Sequence, residues 1–175
     1  MEPGGPVSDM TDSGAISSDG LAFMLKSVPE EKSWPYLASS MNKPVPAAVV
    51  EAGVPHRIQK AVTVVDDAAT SKEKIDAIYR TLQSGLPVAV GIQVYASFES
   101  DQVARNGEVP TPNIKRDSFV GGHAVTILGY LPATQQFIML NSWGASWGEK
   151  GCFFLHSDYI TNPLLAGGFL TLLTD

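Results

Sequence analysis

Two apolar runs lie between a histidine and an asparagine spaced 18 residues apart: Ala124–Leu131 follows His123, and Phe137–Leu140 leads into Asn141. Pro132-Ala133 opens a turn between them. Short apolar runs joined by a turn predict an antiparallel pair of strands, at about 123–131 and 136–141. In such a pair the start of the first strand lies beside the end of the second. The spacing therefore permits a hydrogen bond between His123 and Asn141, and any fold of this chain has to accommodate that hairpin.

The rest of the chain divides around it. Residues 1–14 are rich in Gly, Pro, Ser and Asp and read as loop or disorder. A helix is predicted over about 17–28, with Ser17 or Ser18 as cap, Asp19 in its first turn, and Leu21, Met24, Leu25 and Val28 at helical spacing. Pro29 stops it. Residues 37–60 carry Pro44, Pro46 and Pro55 and read as a connection with a short helix near 46–52. Ala61–Val65 fits an edge strand. Thr70 and Glu73 have capping-box spacing, Ile75, Ile78, Tyr79 and Leu82 form one apolar face, and Gly85 with Pro87 marks the end, so a helix is predicted at 71–84. The β-branched run from Pro87 to Ala96 reads as a strand. Residues 97–120 read as a long loop, and further strands are expected at 151–156 and 168–173. The order is helical and irregular first, antiparallel β second. That is the α+β class, with a partial helical lobe and connection at 1–70 and a β-rich, barrel-like lobe at 71–175 that carries His123 and Asn141.

Composition narrows the function. A net charge of −6 and a pI near 5.0 argue against nucleic acid and against an anionic membrane surface. No apolar run approaches the roughly 20 residues that span a bilayer. The N-terminus shows no basic region followed by an apolar one, so no secretory signal is visible. One cysteine, Cys152, excludes an internal disulfide and fits a reducing compartment. Neither a metal nor a cofactor is expected.

A thiol becomes a strong nucleophile when a neighbouring imidazolium lowers its pKa, and an acceptor on the other ring nitrogen must hold that imidazole in one tautomer. An asparagine oxygen does this without adding charge. Trp143, two residues beyond Asn141, can lie over the His–Asn bond and exclude water, and Gly121, Gly122 and Gly144 leave room for a substrate backbone. Taken singly, each residue has an ordinary reading. A lone histidine is a satisfied polar residue, an asparagine at a strand end belongs to a turn, and paired tryptophans pack. Cys152 follows Gly151 and leads Phe153-Phe154-Leu155, a buried-strand pattern in which it reads as a small apolar residue. His56, His156 and Asp158 have no motif around them and read as polar contacts, turn or cap.

The conjunction also resembles a known family. Gly121-Gly-His-Ala-Val-Thr-Ile-Leu-Gly-Tyr130 and Asn141-Ser-Trp-Gly-Ala-Ser-Trp-Gly-Glu-Lys-Gly151 are similar to the C-terminal half of papain-like cysteine peptidases. Asp12–Leu21, Glu30–Tyr36, Gly85–Ile92 and the segment ending at Ile160 resemble bacterial or viral members more than lysosomal cathepsins. The resemblance implies that His123 is the general base, Asn141 its orienting residue and Trp143 the shield, with Trp147 beside it. Gly122, Ala124 and the Asp12–Ala15 loop with Gly14 would line the cleft for a peptide or protein substrate. The family's nucleophilic cysteine stands roughly 130–150 residues before its His and Asn, which runs off the front of these residues, and no Cys-Gly-Ser-Cys-Trp motif occurs.

Three readings follow. The chain is part of a peptidase whose cysteine lies on a cleaved or separate partner chain, and is inactive by itself. Or it is a non-catalytic papain-fold protein that binds peptides or serves as an assembly subunit, with the apolar face of the helix near 17–28 covered by the connection at 37–60 or by another subunit of a homo-oligomer. Or Cys152 is the nucleophile of a different thiol hydrolase.

Overall fold

The structure, a computed structural model, describes residues 17–40 and 43–174. The described residues up to Ala61, with Leu173 and Thr174, form one compact unit, and Val62–Leu172 form a second.

In the first unit the helix α1 spans Ser17–Met24, shorter than the sequence pattern predicts. The chain leaves it because a distant partner competes: the N–H of Val28 donates to the carbonyl of Gly53 at 3.0 Å, and Ser27, fully buried, donates its hydroxyl to the carbonyl of Val50 at 2.7 Å. Gly53 ends the helix α2, Ala47–Gly53. A Cβ at Gly53 would sit 2.3 Å from the Ser27 Oγ and 2.6 Å from the Pro29 nitrogen, so only glycine permits this contact.

The larger unit is built on strands. The sheet order is β1-β7-β2-β4-β5-β6-β3, with β1 at Lys60–Thr63, β2 at Val88–Tyr95, β3 at Glu108–Val109, β4 at Phe119–Leu131, β5 at Gln136–Leu140, β6 at Cys152–His156 and β7 at Ala166–Leu173. The expected edge strand is β1. The sheet is mixed rather than wholly antiparallel, since β3 pairs with β6 in parallel. It stays open instead of closing as a barrel. Its last strand is only two residues long and is followed by Pro110, which has no N–H to extend a ladder.

The helix α3, Ser71–Gln83, forms as its sequence predicts. Thr70 accepts from the N–H of Glu73 through its hydroxyl, and the Glu73 carboxylate accepts from the N–H of Thr70 at 2.9 Å. Gly85 takes the left-handed conformation just beyond, at φ 83°. Ile78 is fully buried in the core with Val88, Ile127, Phe137, Met139 and Phe153, and burial of one such side chain contributes about 1.5–3 kcal/mol.

One expectation needs correction, and one helix has no expectation behind it. Residues 97–120 are not one long loop. A 3₁₀ turn at Ala96–Glu99 and the helix α4, Asp101–Asn106, precede β3. Ser100 caps α4 by accepting from the N–H of Val103, and Gly107 closes it at φ 71°. A fifth helix, α5 at Ser157–Thr161, follows β6 directly. Asp158 lies in its first turn, and His156 caps it by accepting from the Asp158 N–H at 3.2 Å.

Candidate active site

His123 lies in the first half of β4, which pairs with β2 from Phe119 to Ile127 and, on its other side, with β5 from Thr126 to Leu131. Asn141 immediately follows β5, whose last residue, Leu140, stands opposite Thr126. The side chains meet as the spacing predicts: His123 Nε2 and Asn141 Oδ1 are 2.9 Å apart. The same oxygen accepts from the backbone N–H of Ser142 at 2.8 Å. That second donor identifies the atom facing the histidine as the amide oxygen. His123 must therefore carry its proton on Nε2, which leaves Nδ1 as the basic lone pair. Among the described residues Nδ1 makes no hydrogen bond. Asn141 itself is 8% exposed, its N–H donates to the carbonyl of Gly151 at 2.9 Å, and its Nδ2 is buried without a partner.

Aromatic rings cover this bond. Trp143 stacks on the imidazole, with centroids 5.3 Å apart and planes 24° from parallel. Trp147 meets Trp143 edge-on at 5.0 Å. Phe98 stacks on Trp147 at 5.7 Å and meets Trp143 and Phe153 edge-on, so the rings run unbroken from the core to the imidazole. Phe98, 1% exposed, escaped the sequence reading because it fell in the stretch read as loop. The available signal was an aromatic residue soon after a β-branched strand. The turn bearing the tryptophans depends on close backbone packing: a Cβ at Gly148 would lie 2.3 Å from the carbonyl oxygen of Cys152.

Gly122 and Ala124 flank His123 in β4 and are exposed, and a Cβ at Gly122 or Gly121 would meet nothing within 4 Å. The fold therefore does not require glycine there. Gly14 and the Asp12–Ala15 loop lie outside the described residues.

Cys152 begins β6, where it stands opposite Leu140, which stands opposite Thr126. Two strand spacings of about 4.8 Å separate it from β4, and a further three-residue offset separates it from His123. Register partners share a face and successive residues alternate, so Cys152 shares the face of Thr126 while His123 shares that of Val125 and Ile127. The thiol and the imidazole are on opposite sides of the sheet. No group of three or more His, Cys, Asp or Glu able to hold a metal occurs among the described residues, and no described helix is long and apolar enough to cross a membrane.

Residues 9–162 match the papain family of cysteine proteases. The chain belongs to that family. It is similar to an uncharacterized peptidase C1-like protein of Acanthamoeba polyphaga mimivirus, with 34% identity over 160 residues, covering 90% of this chain and 51% of the relative. Cysteine proteinase 3 of Entamoeba histolytica is 30% identical over 109 residues, 61% of this chain and 34% of the relative. This papain-family chain thus spans about half the length, or less, of these relatives. Among solved structures, xylellain, a cysteine protease from Xylella fastidiosa, superposes with a TM-score of 0.79 at 28% identity, covering 94% of this chain and 63% of that one. The digestive procathepsin L2 proteinase of Tenebrio molitor shares the fold with a TM-score of 0.65 at 20% identity, over 93% of this chain and 48% of that one. The papain-like α+β architecture expected from the sequence is therefore the architecture of the chain.

Proposed function

We propose that this chain supplies the general-base half of a papain-like cysteine peptidase, with the nucleophilic cysteine contributed by a segment or partner chain beyond these 175 residues. One observation carries the reading: the Nε2–H of His123 is committed to Asn141 under the cover of Trp143, which leaves Nδ1 free to take a proton. In this reading Nδ1 accepts the thiol proton, the resulting imidazolium stabilises the thiolate, and the same proton later passes to the leaving amine of a peptide substrate. Asn141 and Trp143 hold the ring, while Gly122 and Ala124 border the substrate. The distance and facing of Cys152 argue against it as the nucleophile.

Two measurements test this. Native intact mass on material from its source is expected to reveal an associated cysteine-bearing chain or a longer covalent product. Material that stays whole without either would favour the non-catalytic, peptide-binding reading. A thiol-directed peptide probe is expected not to label the chain by itself; efficient labelling of Cys152 that disappears in His123→Ala would overturn the assignment.

A further inference from the structure

We infer that Tyr159 is a positioning residue for His123, acting through the backbone of β2. The inference rests on the reading of His123 as a general base. Tyr159 lies in α5, 1% exposed, and its hydroxyl donates to the carbonyl oxygen of Gln93 at 2.5 Å. Gln93 stands where β2 loses its neighbour. The ladder between β2 and β7 ends at the pair Ile92 and Ala166. One residue further on, the N–H of Gln93 donates to the carbonyl of Leu165 at 2.8 Å, and its carbonyl takes the Tyr159 hydroxyl. The turn after α5 and the phenol thus replace a missing stretch of strand.

The polar groups of successive residues in an antiparallel strand point to opposite sides. Both groups of Gln93 point toward the β7 side. Those of Ile92 therefore point toward β4, where its register partner is His123. The backbone that carries the imidazole is held by Ile92, and the next peptide of β2 is held by Tyr159. Without the phenol a carbonyl beside the catalytic strand has no protein donor, and on the β7 side Gln93 is held only by its N–H bond to Leu165.

The clamp is itself fixed at both ends. The N–H of Ser157 donates to the carbonyl of Gln135 at 2.8 Å. At the other end the fully buried Lys74 donates its ammonium to the carbonyl of Thr161 at 3.3 Å, and it lies 5.8 Å from the ring centre of Phe169. Burial, reinforced by Tyr95 and Asp117, raises the phenol pKa further above its ordinary value, so the hydroxyl remains a donor throughout the working range.

The test compares two buried hydroxyls that donate to carbonyls in β2 and just before it. Thr171 donates to the carbonyl of Pro87 at 2.9 Å, just before the other end of β2, and serves as the structural control. In the chain itself, Tyr159→Phe is expected to speed solvent exchange of the His123 Nε2 proton about tenfold, the factor that corresponds to one lost hydrogen bond. Nitrogen-15 shifts should show the neutral ring losing its pure Nε2–H tautomer. Thr171→Val should lower stability comparably and leave both signals unmoved. Equal His123 signals in wild type and Tyr159→Phe, or equal changes in the two variants, overturn the inference. If Tyr159→Phe does not fold, Lys74→Met, which releases the far end of α5, is held to the same comparison. Joined to a cysteine-bearing half, Tyr159→Phe should lower kcat by about tenfold with KM unchanged. Absence of all activity in the wild-type assembly would sink the general-base reading, while the imidazole signals still decide the role of Tyr159.

Discussion

Replacement of Phe98 by alanine tests whether the aromatic stack supports the imidazole or merely lies near it. Phe98 is buried and contacts three rings: Trp147 at 5.7 Å, Trp143 at 5.7 Å and Phe153 at 5.2 Å. Truncation of a buried phenylalanine costs about 3–5 kcal/mol. Aromatic pairs contribute about 0.5–1.5 kcal/mol each beyond simple burial, and loss of three places this site in the upper part of that range. With a urea slope of about 2 kcal/mol per molar, the midpoint should fall by about 2 M. Phe98→Leu keeps most of the volume but loses the three ring pairs, so it should cost at least about 1.5 kcal/mol and less than Phe98→Ala.

Stability alone does not connect the stack to the site, so the assay needs a second channel. The His123 ring protons lie over the face of Trp143 and should show a ring-current shift in the intact protein. Removal of Phe98 takes away the edge on which Trp143 rests, and that shift should shrink well before the sheet unfolds. In Phe98→Leu it should shrink less. A loss below about 1 kcal/mol in Phe98→Ala would refute the packing argument. A large loss with unmoved His123 signals would refute the link from stack to imidazole.

Asn141→Ala removes the acceptor of the His123 Nε2–H and of the Ser142 N–H together. It should cost about 1–3 kcal/mol and convert the ring to a mixture of tautomers, read from its nitrogen-15 shifts; a ring that stays in the Nε2–H form would contradict the orienting role. Thr70→Ala probes the cap of α3. Hydrogen bonds from the side chain and then the backbone of Thr70 hold the Glu73 carboxyl below its ordinary value. A depressed folded pKa gives stability that is present above the unfolded value of 4.5 and lost as pH falls through the folded one. The stability gap between wild type and Thr70→Ala should therefore be wider at pH 7 than at pH 3 in thermal melts, and a gap independent of pH would contradict it.

The elements legible in the sequence were those whose signals are local. Thr70 and Glu73 cap α3 through atoms three residues apart, and Gly85 ends it by its own backbone geometry. The hairpin of β4 and β5 follows from two apolar runs and a short turn, and His123 meets Asn141 because the hairpin requires it. The illegible features depend on distant partners. Whether Val28 continues α1 is decided by the carbonyl of Gly53. The helix α5 is anchored by Gln135 and Lys74, 22 and 87 residues from the atoms they meet at Ser157 and Thr161 (157 − 135 and 161 − 74). The helix α4 did have a local signal, Ser100 as cap and Gly107 as terminator. It was outweighed by the prolines and the Asn-Gly pair around it.

Under the proposed function, the geometry would divide the work of a cysteine peptidase in a particular way. The contacts that orient the imidazole among the described residues come from β4, its partner β2 with the Tyr159 hydroxyl behind it, the end of β5, the tryptophan turn and Phe98, all within the larger unit. In the proposed reading, the described residues orient the base without a contact from the nucleophile. The acceptor is an amide, not a carboxylate, so it selects a tautomer without adding a negative charge that would favour the imidazolium. A protonated His123 therefore has to draw its charge partner from elsewhere, and in the proposed assembly that partner is the thiolate it creates. The base in that assembly is held in one tautomer before a thiol arrives. That separation lets a chain hold the family's base geometry whether its nucleophile stands on the same polypeptide or on another.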